Sequence, residues 1–222
     1  SNLVPIEMGS TESATIGQVA IAVGSPLGLD GGPSVTVGVV SAFGRQVRTG
    51  PENVDRLFDM LQTDAPITEG SSGGALVDAN GRLLGITSAI GVSSAGAEGI
   101  GFAIPVELVT RITDEIIETG TVQHPFIGVQ LETAFIENTD GSQSPAGAFV
   151  TQFAMEASAA QEAGILEEDL IVAYDGIAVA IPDDLISGLR KYRAGEEVTL
   201  SITRGTDNLE IPVVLGVRPE DI

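Results

Sequence analysis

The first half of the chain alternates short runs of apolar residues with turn-forming residues. The runs are rich in Val, Ile and Ala, and Gly, Pro, Asn and Asp lie between them. The pair Asn80-Gly81, between Ala75–Val77 and Leu83–Ile86, is a strong signal for a hairpin. Several short strands at this spacing predict an all-β barrel or sandwich. The predicted strands are Val19–Val23, Val35–Phe43, Leu83–Ile90 and Ile100–Ile104.

A helical period replaces this pattern over Pro105–Gly120. Apolar residues recur there three or four positions apart, which places them on one helix face. Pro105 suits the first turn of a helix and Gly120 suits its end. The apolar residues are Val106, Val109, Ile112, Ile116 and Ile117. We take this helix as the end of a first domain, residues 1–120.

Strands and short helices mix in the remainder of the chain, which predicts an α+β domain over residues 125–222. Its size is typical of a small independent domain. A helix is predicted at Pro182–Tyr192 because Pro and two Asp open it and its apolar residues share one face. The other expected elements are strands at Phe126–Leu131, Ala148–Phe153, Leu170–Tyr174, Ile177–Ala180, Val198–Arg204 and Leu209–Leu215, a polar loop at Asn138–Ser144, and a short helix at Ala157–Ala163.

Composition excludes several classes of function. The 222 residues include 31 Asp or Glu and 10 Lys or Arg, for a formal net charge of −21. We therefore expect no nucleic-acid partner, because phosphate contacts need cations. With no Cys and one His, the chain cannot form a disulfide scaffold or a Cys-ligated zinc site, and we expect no metal or cofactor. Gly and Pro interrupt the longest uncharged stretches, so none predicts a membrane-spanning helix.

One segment carries candidate chemistry, Gly70-Ser71-Ser72-Gly73-Gly74. The glycines allow a tight turn that can expose a hydroxyl and aim several backbone N–H groups into one space. An acyl-transfer site needs such a nucleophile and oxyanion hole. The alternative is a flexible Gly/Ser linker. Apolar residues on both sides, Pro66-Ile67 and Ala75-Leu76-Val77, argue against the linker.

Residues 63–90 resemble the nucleophile segment of the HtrA (high-temperature-requirement) or DegP-type branch of the trypsin-like serine proteases. These enzymes carry a Thr-Asp-Ala-x-Ile run, then Gly-Asn-Ser-Gly-Gly-x-Leu, then a Gly-x-Leu-Ile-Gly-Ile strand. Thr36–Gly44 and Gly99–Pro105 also resemble family strands. The resemblance implies a mainly β fold, in which one Greek-key β-barrel of the trypsin-like fold precedes a second domain.

That second domain resembles the PDZ domain that follows the protease in this family. Phe126-Ile127-Gly128-Val129 lies where PDZ domains carry their carboxylate-binding loop, and Pro182–Tyr192 matches the helix of the peptide groove. Glu168 and Ala159 depart from the usual Gly and Pro. The resemblance implies that Phe126, Ile127, Gly128, Val129, Leu185 and Leu189 bind peptide.

The resemblance also implies roles in the first domain. Ser72 is the expected nucleophile, and the N–H groups of Gly70 and Ser72, with that of Ser71 nearby, would form the oxyanion hole. Ser71 stands where the family usually has Asn. The expected specificity pocket comprises Pro66, Ile67, Ile86, Thr87 and Ser88. Pro66 stands six residues before Ser72, where enzymes that cut after Lys or Arg carry Asp, so we expect a preference for aliphatic or small residues. We interpret Asp64 as a structural carboxylate.

The general base is missing from this pattern. The family places a His and an Asp before the Ser, yet the single His is His124, which we interpret as a linker residue. The first domain accounts for about one barrel of a two-barrel protease. We therefore expect an inactive fragment of an HtrA-type serine endopeptidase that acts in extracytoplasmic protein quality control. The alternative is a catalytically dead PDZ protein that binds peptides or serves as a scaffold.

The expected partners are unfolded or C-terminal peptide segments of other proteins. Family members are often trimers through the protease part, so the resemblance implies a homo-oligomer, a trimer, for the full-length protein. The family also implies a periplasmic or cell-surface location, with a membrane anchor supplied by a segment upstream of residue 1.

Overall fold

The chain folds as two compact units, Ser1–Gly120 and Thr121–Ile222. The structure is a computed structural model that describes residues 3–26, 32–49, 55–93 and 96–219. Within these ranges, no helix combines the length and the apolar character that crossing a bilayer requires.

The first unit is a closed antiparallel barrel in which the strands follow the order β1-β2-β3-β6-β5-β4. Pairing of β4 with β1 closes it. Small side chains such as Ala20 and Ala22 point inwards with Leu61 and Leu76, so the narrow interior is filled. The strands are β1 (Val19–Gly24), β2 (Ser34–Thr49), β3 (Asp55–Thr63), β4 (Ala75–Val77), β5 (Leu83–Ser93) and β6 (Gly96–Pro105). All four predicted strands lie within this set, and the Asn80-Gly81 hairpin joins β4 to β5.

Strand β3 is the element that the sequence pattern does not predict. Charged residues interrupt it, and Asp59 has a positive φ of 55°. Three register shifts disturb its pairing with β2. As a result Phe58, Met60 and Leu61 are all buried, and the strict alternation that identifies a strand in sequence is lost.

Helix α1 (Val106–Thr119) follows the barrel directly. Pro105 is the residue before the helix and ends β6, so it precedes the first turn that we predicted for it. The Glu107 carboxylate accepts hydrogen bonds from the Ser10 hydroxyl at 3.0 Å, and from the N–H and hydroxyl of Thr11 at 2.7 and 2.6 Å. Burial opposes the charged form of Glu107, but these hydrogen bonds lower its pKa. The helix thereby holds the segment that leads into the barrel.

The second unit is built on a sheet of order β13-β12-β10-β9-β8, in which β11 pairs with β10, and on a two-stranded sheet of β14 and β7. Its core includes Val150, Ile171, Leu185 and Leu200. The elements are β7 (Pro125–Phe126), β8 (Val129–Glu137), β9 (Gln143–Phe153), α2 (Ala159–Ala163), β10 (Leu170–Tyr174), β11 (Ile177–Ala178), α3 (Pro182–Leu189), β12 (Glu197–Arg204), β13 (Asp207–Val214) and β14 (Gly216–Val217).

Several predicted boundaries in this unit are wrong. The strand expected at Phe126–Leu131 is interrupted after Phe126, because Gly128 takes a left-handed φ of 81°. The loop expected at Asn138–Ser144 is shorter, since β9 begins at Gln143. The short helix begins only at Ala159, since Ala157 has a positive φ and Ser158 caps the helix. The hairpin strand expected at Ile177–Ala180 ends at Ala178. The groove helix ends at Leu189, three residues before Tyr192.

An ion pair between the buried Asp169 carboxylate and the partly exposed Arg204 guanidinium fixes the second unit. Arg204 Nε and Nη2 donate to the two Asp169 carboxylate oxygens at 2.7 and 2.8 Å, and Nη2 also donates to the Gly164 carbonyl at 2.8 Å. Leu166 N–H donates to the same carboxylate at 2.8 Å. Asp169 is fully buried. Burial opposes its charge, but these donors lower the pKa of Asp169.

We expect Arg204→Met to lower the free energy of unfolding of the second unit at neutral pH, because it leaves the buried Asp169 carboxylate without its counterion. Urea unfolding followed by tyrosine fluorescence measures this unit alone, since both tyrosines, Tyr174 and Tyr192, belong to it.

The pH dependence of this loss follows from the direction of the pKa shift. The stabilising charge of Asp169 is present above its ordinary pKa of 3.8 and is lost as the pH falls through the lower value of the folded state. The difference between wild type and Arg204→Met should therefore shrink in acid. The control Lys191→Met removes an exposed cation and should change stability by less than about 0.5 kcal/mol. Equal losses in the two variants would contradict the argument.

Candidate active site

The segment before the Ser-Gly-Gly turn is tied to strand β2. Val39 N–H donates to Asp64 Oδ1 at 2.6 Å, and the Thr63 hydroxyl donates to the Val39 carbonyl at 2.7 Å. The Thr36 hydroxyl donates to the Pro66 carbonyl at 2.7 Å. Asp64 therefore has the structural role that its sequence context indicates, and the chain enters the turn from a fixed position.

The turn itself is closed by backbone bonds. Ser71 N–H donates to the Thr68 carbonyl at 2.9 Å, with Gly70 between them at a φ of 89° that favours glycine. Gly74 N–H donates to the Ser71 carbonyl at 3.0 Å. A Cβ on Gly74 would lie 2.4 Å from the Val23 carbonyl oxygen of β1. Only glycine fits here, and the turn lies directly on the barrel wall.

Thr87 on β5 supports the turn from below. Thr87 is 2% exposed, and its single hydroxyl proton is shared between the carbonyl oxygens of Ser71 and Gly74, both within hydrogen-bond distance. Its backbone adds two bonds, because Gly73 N–H donates to the Thr87 carbonyl at 2.7 Å and Thr87 N–H donates to the Gly74 carbonyl at 2.9 Å. Thr87 thus holds Ser71, Gly73 and Gly74 in place.

Ser72 lies exposed on this turn. Its hydroxyl donates to the Ser88 carbonyl oxygen at 3.0 Å. Within the described part of the chain, the N–H groups of Gly70 and Ser72 have no acceptor, whereas that of Ser71 is used inside the turn. A hydroxyl beside two available N–H donors is the arrangement that nucleophilic attack on a carbonyl needs. The geometry thus favours two of the three predicted oxyanion donors.

The five residues predicted for a specificity pocket occupy different environments. Pro66 is exposed and Ser88 is half-buried. The Ser88 carbonyl oxygen accepts the hydrogen bond from the Ser72 hydroxyl. Ile67 is buried and packs on Gly101, where an added Cβ would lie 2.6 Å from its Cδ1. Ile86 packs beside Val77, Leu83 and Val106. The Thr87 side chain lies beneath the turn, a supporting role that its position in the sequence does not predict.

The second unit contains a groove of about 480 Å³ between β8 and α3. Five of the six residues predicted to bind peptide line it, and Gly128 lies in the adjoining loop. The N–H groups of Ile127 and Gly128 have no acceptor among the described residues. The chain's single His also lines this groove. The lining comprises His124, Pro125, Phe126, Ile127, Val129, Gln130, Leu131, Ala154, Pro182, Asp183, Leu185, Ile186, Leu189, Arg190 and Arg218.

Arg218 is a groove residue that sequence reasoning missed. It reaches this position because β14 pairs with β7, and its N–H donates to the His124 carbonyl at 2.8 Å. The two positions are far apart in the chain, so no local pattern could have indicated their contact.

Comparisons with known proteins agree with both units. The trypsin-like peptidase domain family matches residues 1–86 and the PDZ domain family matches residues 125–215. The serine protease PepD of Mycobacterium tuberculosis is 39% identical over 210 residues, which cover 90% of this chain and 43% of that protein. A probable periplasmic serine endoprotease, DegP-like, of Chlamydia trachomatis is 37% identical over 97% of this chain and 42% of its own length.

Solved structures give the same result. The HtrA-type protease AlgW with a tripeptide has a TM-score of 0.73 and 33% identity, over 98% of this chain and 71% of that one. AlgW with a decapeptide has a TM-score of 0.71, 33% identity and 66% coverage of that chain.

The barrel and the PDZ domain are those of a trypsin-like serine protease with a peptide-binding module. The chain belongs to the HtrA family of serine proteases, which confirms the resemblance and the fold class predicted from sequence. It spans about half or less of the length of the curated relatives, 43%, 42% and 54% of three of them.

We expect Thr87→Val to loosen the turn. The substitution keeps the shape but removes the hydroxyl that donates to the Ser71 and Gly74 carbonyls, at a cost of about 1 kcal/mol. Amide hydrogen exchange at Gly73 and Gly74 should accelerate about fivefold. The control Thr113→Val, which removes an exposed hydroxyl on α1, should leave these amides unchanged. Unchanged exchange in Thr87→Val would contradict the supporting role.

Proposed function

We propose that this chain carries the nucleophile half of an HtrA-type serine endopeptidase, with Ser72 as nucleophile and the N–H groups of Gly70 and Ser72 as oxyanion hole. The observation that carries the proposal is the exposed Ser72 hydroxyl beside two N–H groups that have no acceptor in the described residues. The names of the DegP-like relatives, which are called periplasmic, support an extracytoplasmic location.

In this mechanism Ser72 Oγ attacks the carbonyl carbon of a peptide bond while a general base accepts its proton. The carbonyl oxygen becomes an oxyanion that accepts hydrogen bonds from Gly70 and Ser72. Each such donor contributes about 3–4 kcal/mol to transition-state stabilisation. The protonated base then gives its proton to the leaving amine, and water releases the acyl group from Ser72. Pro66 supports a preference for aliphatic or small residues at the cleaved bond.

We infer that the general base and the Asp that orients it come from polypeptide outside these 222 residues. The chain's one His lines the PDZ groove, where its carbonyl accepts the Arg218 N–H. A serine hydroxyl without a base is a weak nucleophile. The chain alone should therefore not hydrolyse peptide bonds at a rate that depends on Ser72.

The groove supports a second role, the binding of peptide C-termini. Apolar side chains line it, and the available N–H groups of Ile127 and Gly128 suit a terminal carboxylate. Strand β8 is the outermost strand of its sheet, so a peptide can add beside it. Because the groove is complete within this chain, peptide binding without proteolysis is the alternative function. Unfolded proteins with exposed apolar segments are the proposed substrates.

The test of the nucleophile uses a chimera in which the part of AlgW that precedes the matched region is joined to this chain. We expect the chimera to cleave casein. Ser72→Ala should reduce kcat by about six orders of magnitude, because the attacking atom is lost. The matched control Ser71→Ala removes the neighbouring buried hydroxyl and should keep most activity. Equal losses in the two variants would refute the assignment of Ser72. Casein cleavage by the 222-residue chain above its Ser72→Ala variant would instead refute the inference that the general base lies outside this chain.

The test of the groove is independent of activity. A fluorescein-labelled tetrapeptide Ser-Val-Thr-Val with a free carboxylate should bind saturably in fluorescence polarisation. Amidation of its C-terminus should weaken binding about tenfold or more, because charged hydrogen bonds to the loop are lost. Ser72→Ala should bind equally well. Equal affinity for the amidated peptide would rule out recognition of the terminal carboxylate.

A further inference from the structure

The edge strand β8 continues well beyond the peptide groove. Val129 and Leu131 line the groove at its start, and the strand runs on to Glu137. The sheet order places β8 at the edge, and within the described ranges no strand pairs with its outer side. The backbone of the whole strand is therefore available to an added peptide, and not only the part beside the groove.

Phe135 lies on the groove-facing side of this strand. The β8 side of the pairing with β9 has no extra residue, so odd-numbered positions from Val129 to Phe135 share one face. The face continues across β9, because Leu131 lies opposite Val150 and Phe135 opposite Pro145. Val150 is buried, but Phe135 is 58% exposed. The face of β8 that packs on the core at Val129 therefore ends at Phe135, whose aromatic side chain is exposed.

The distance from the groove to Phe135 fits an extended peptide. Phe135 lies four residue steps beyond Leu131, which is about 13 Å along a strand. An antiparallel peptide with its last side chain beside Val129 places its seventh residue from the end beside Phe135. Since side chains alternate, that residue projects to the same face as the terminal one.

We propose that this protein recognises a C-terminal segment of at least seven residues, in which an apolar side chain at the seventh position from the end packs on Phe135. The occupant is a partner polypeptide in strand form, because the patch is continuous with the groove along one strand. Glu132 and Glu137 on the same strand disfavour an acidic segment. The proposal rests on the proposed peptide-binding function and extends it.

The probes are three fluorescein-labelled peptides: the tetrapeptide Ser-Val-Thr-Val, the octapeptide Ser-Leu-Ser-Thr-Ser-Val-Thr-Val, and the same octapeptide with Ser in place of Leu. The octapeptide with Leu should bind the full chain about tenfold more tightly than the one with Ser, because Leu buries apolar surface on Phe135. Phe135→Ala should remove this difference and leave tetrapeptide affinity unchanged.

Ile136→Ala is the matched control. Ile136 is the next residue on β8 and is 55% exposed, but it lies on the opposite face. It should keep the tenfold difference. Equal binding of the two octapeptides, or equal effects of the Phe135 and Ile136 variants, overturns the inference while tetrapeptide binding still supports the groove. Failure of the tetrapeptide to bind overturns the groove assignment, and the inference with it.

Discussion

The close approach of the Ser72 turn to the barrel wall is the constraint on which the site depends. Gly74 lies so near the Val23 carbonyl that no side chain fits between them, and the Thr87 hydroxyl joins the Ser71 and Gly74 carbonyls from beneath. The turn therefore cannot relax into the barrel, and Ser72 stays exposed on it while the N–H groups of Gly70 and Ser72 have no acceptor among the described residues. In the proposed function, this rigid scaffold would hold the nucleophile and the oxyanion donors in place before the reaction.

In the second unit, one edge of the sheet is available for pairing while the rest of the sheet is held in place. The Asp169–Arg204 pair joins the end of β12 to the segment before β10, and it gives each oxygen of the buried carboxylate a hydrogen-bond donor. Helix α3 covers the core beside β8 without pairing with its edge. A stable interior and an open edge are therefore compatible, and the proposed peptide recognition would use this edge.

Sequence reasoning succeeded where the signal is local. Alternating apolar runs predicted four barrel strands, and Asn80-Gly81 predicted their hairpin. The glycines around Ser72 indicated the turn. It failed where tertiary contacts decide, because the bulges that pair β3 with β2 remove the alternation. Likewise, only the pairing of β14 with β7 brings Arg218 to the groove. The support that Thr87 gives could not be predicted, since its hydroxyl acts through carbonyls of a distant segment.

The hydrogen bond from the Ser72 hydroxyl to the Ser88 carbonyl bears on how a general base from outside this chain would reach the Ser72 proton. In the resting state the proton of the hydroxyl is directed at a neutral main-chain oxygen, which cannot remove it. An imidazole brought alongside competes for the same proton as a stronger acceptor, and the exchange costs only about one ordinary hydrogen bond. In the proposed mechanism, the base therefore replaces the Ser88 carbonyl as acceptor of the Ser72 proton, and the turn need not refold.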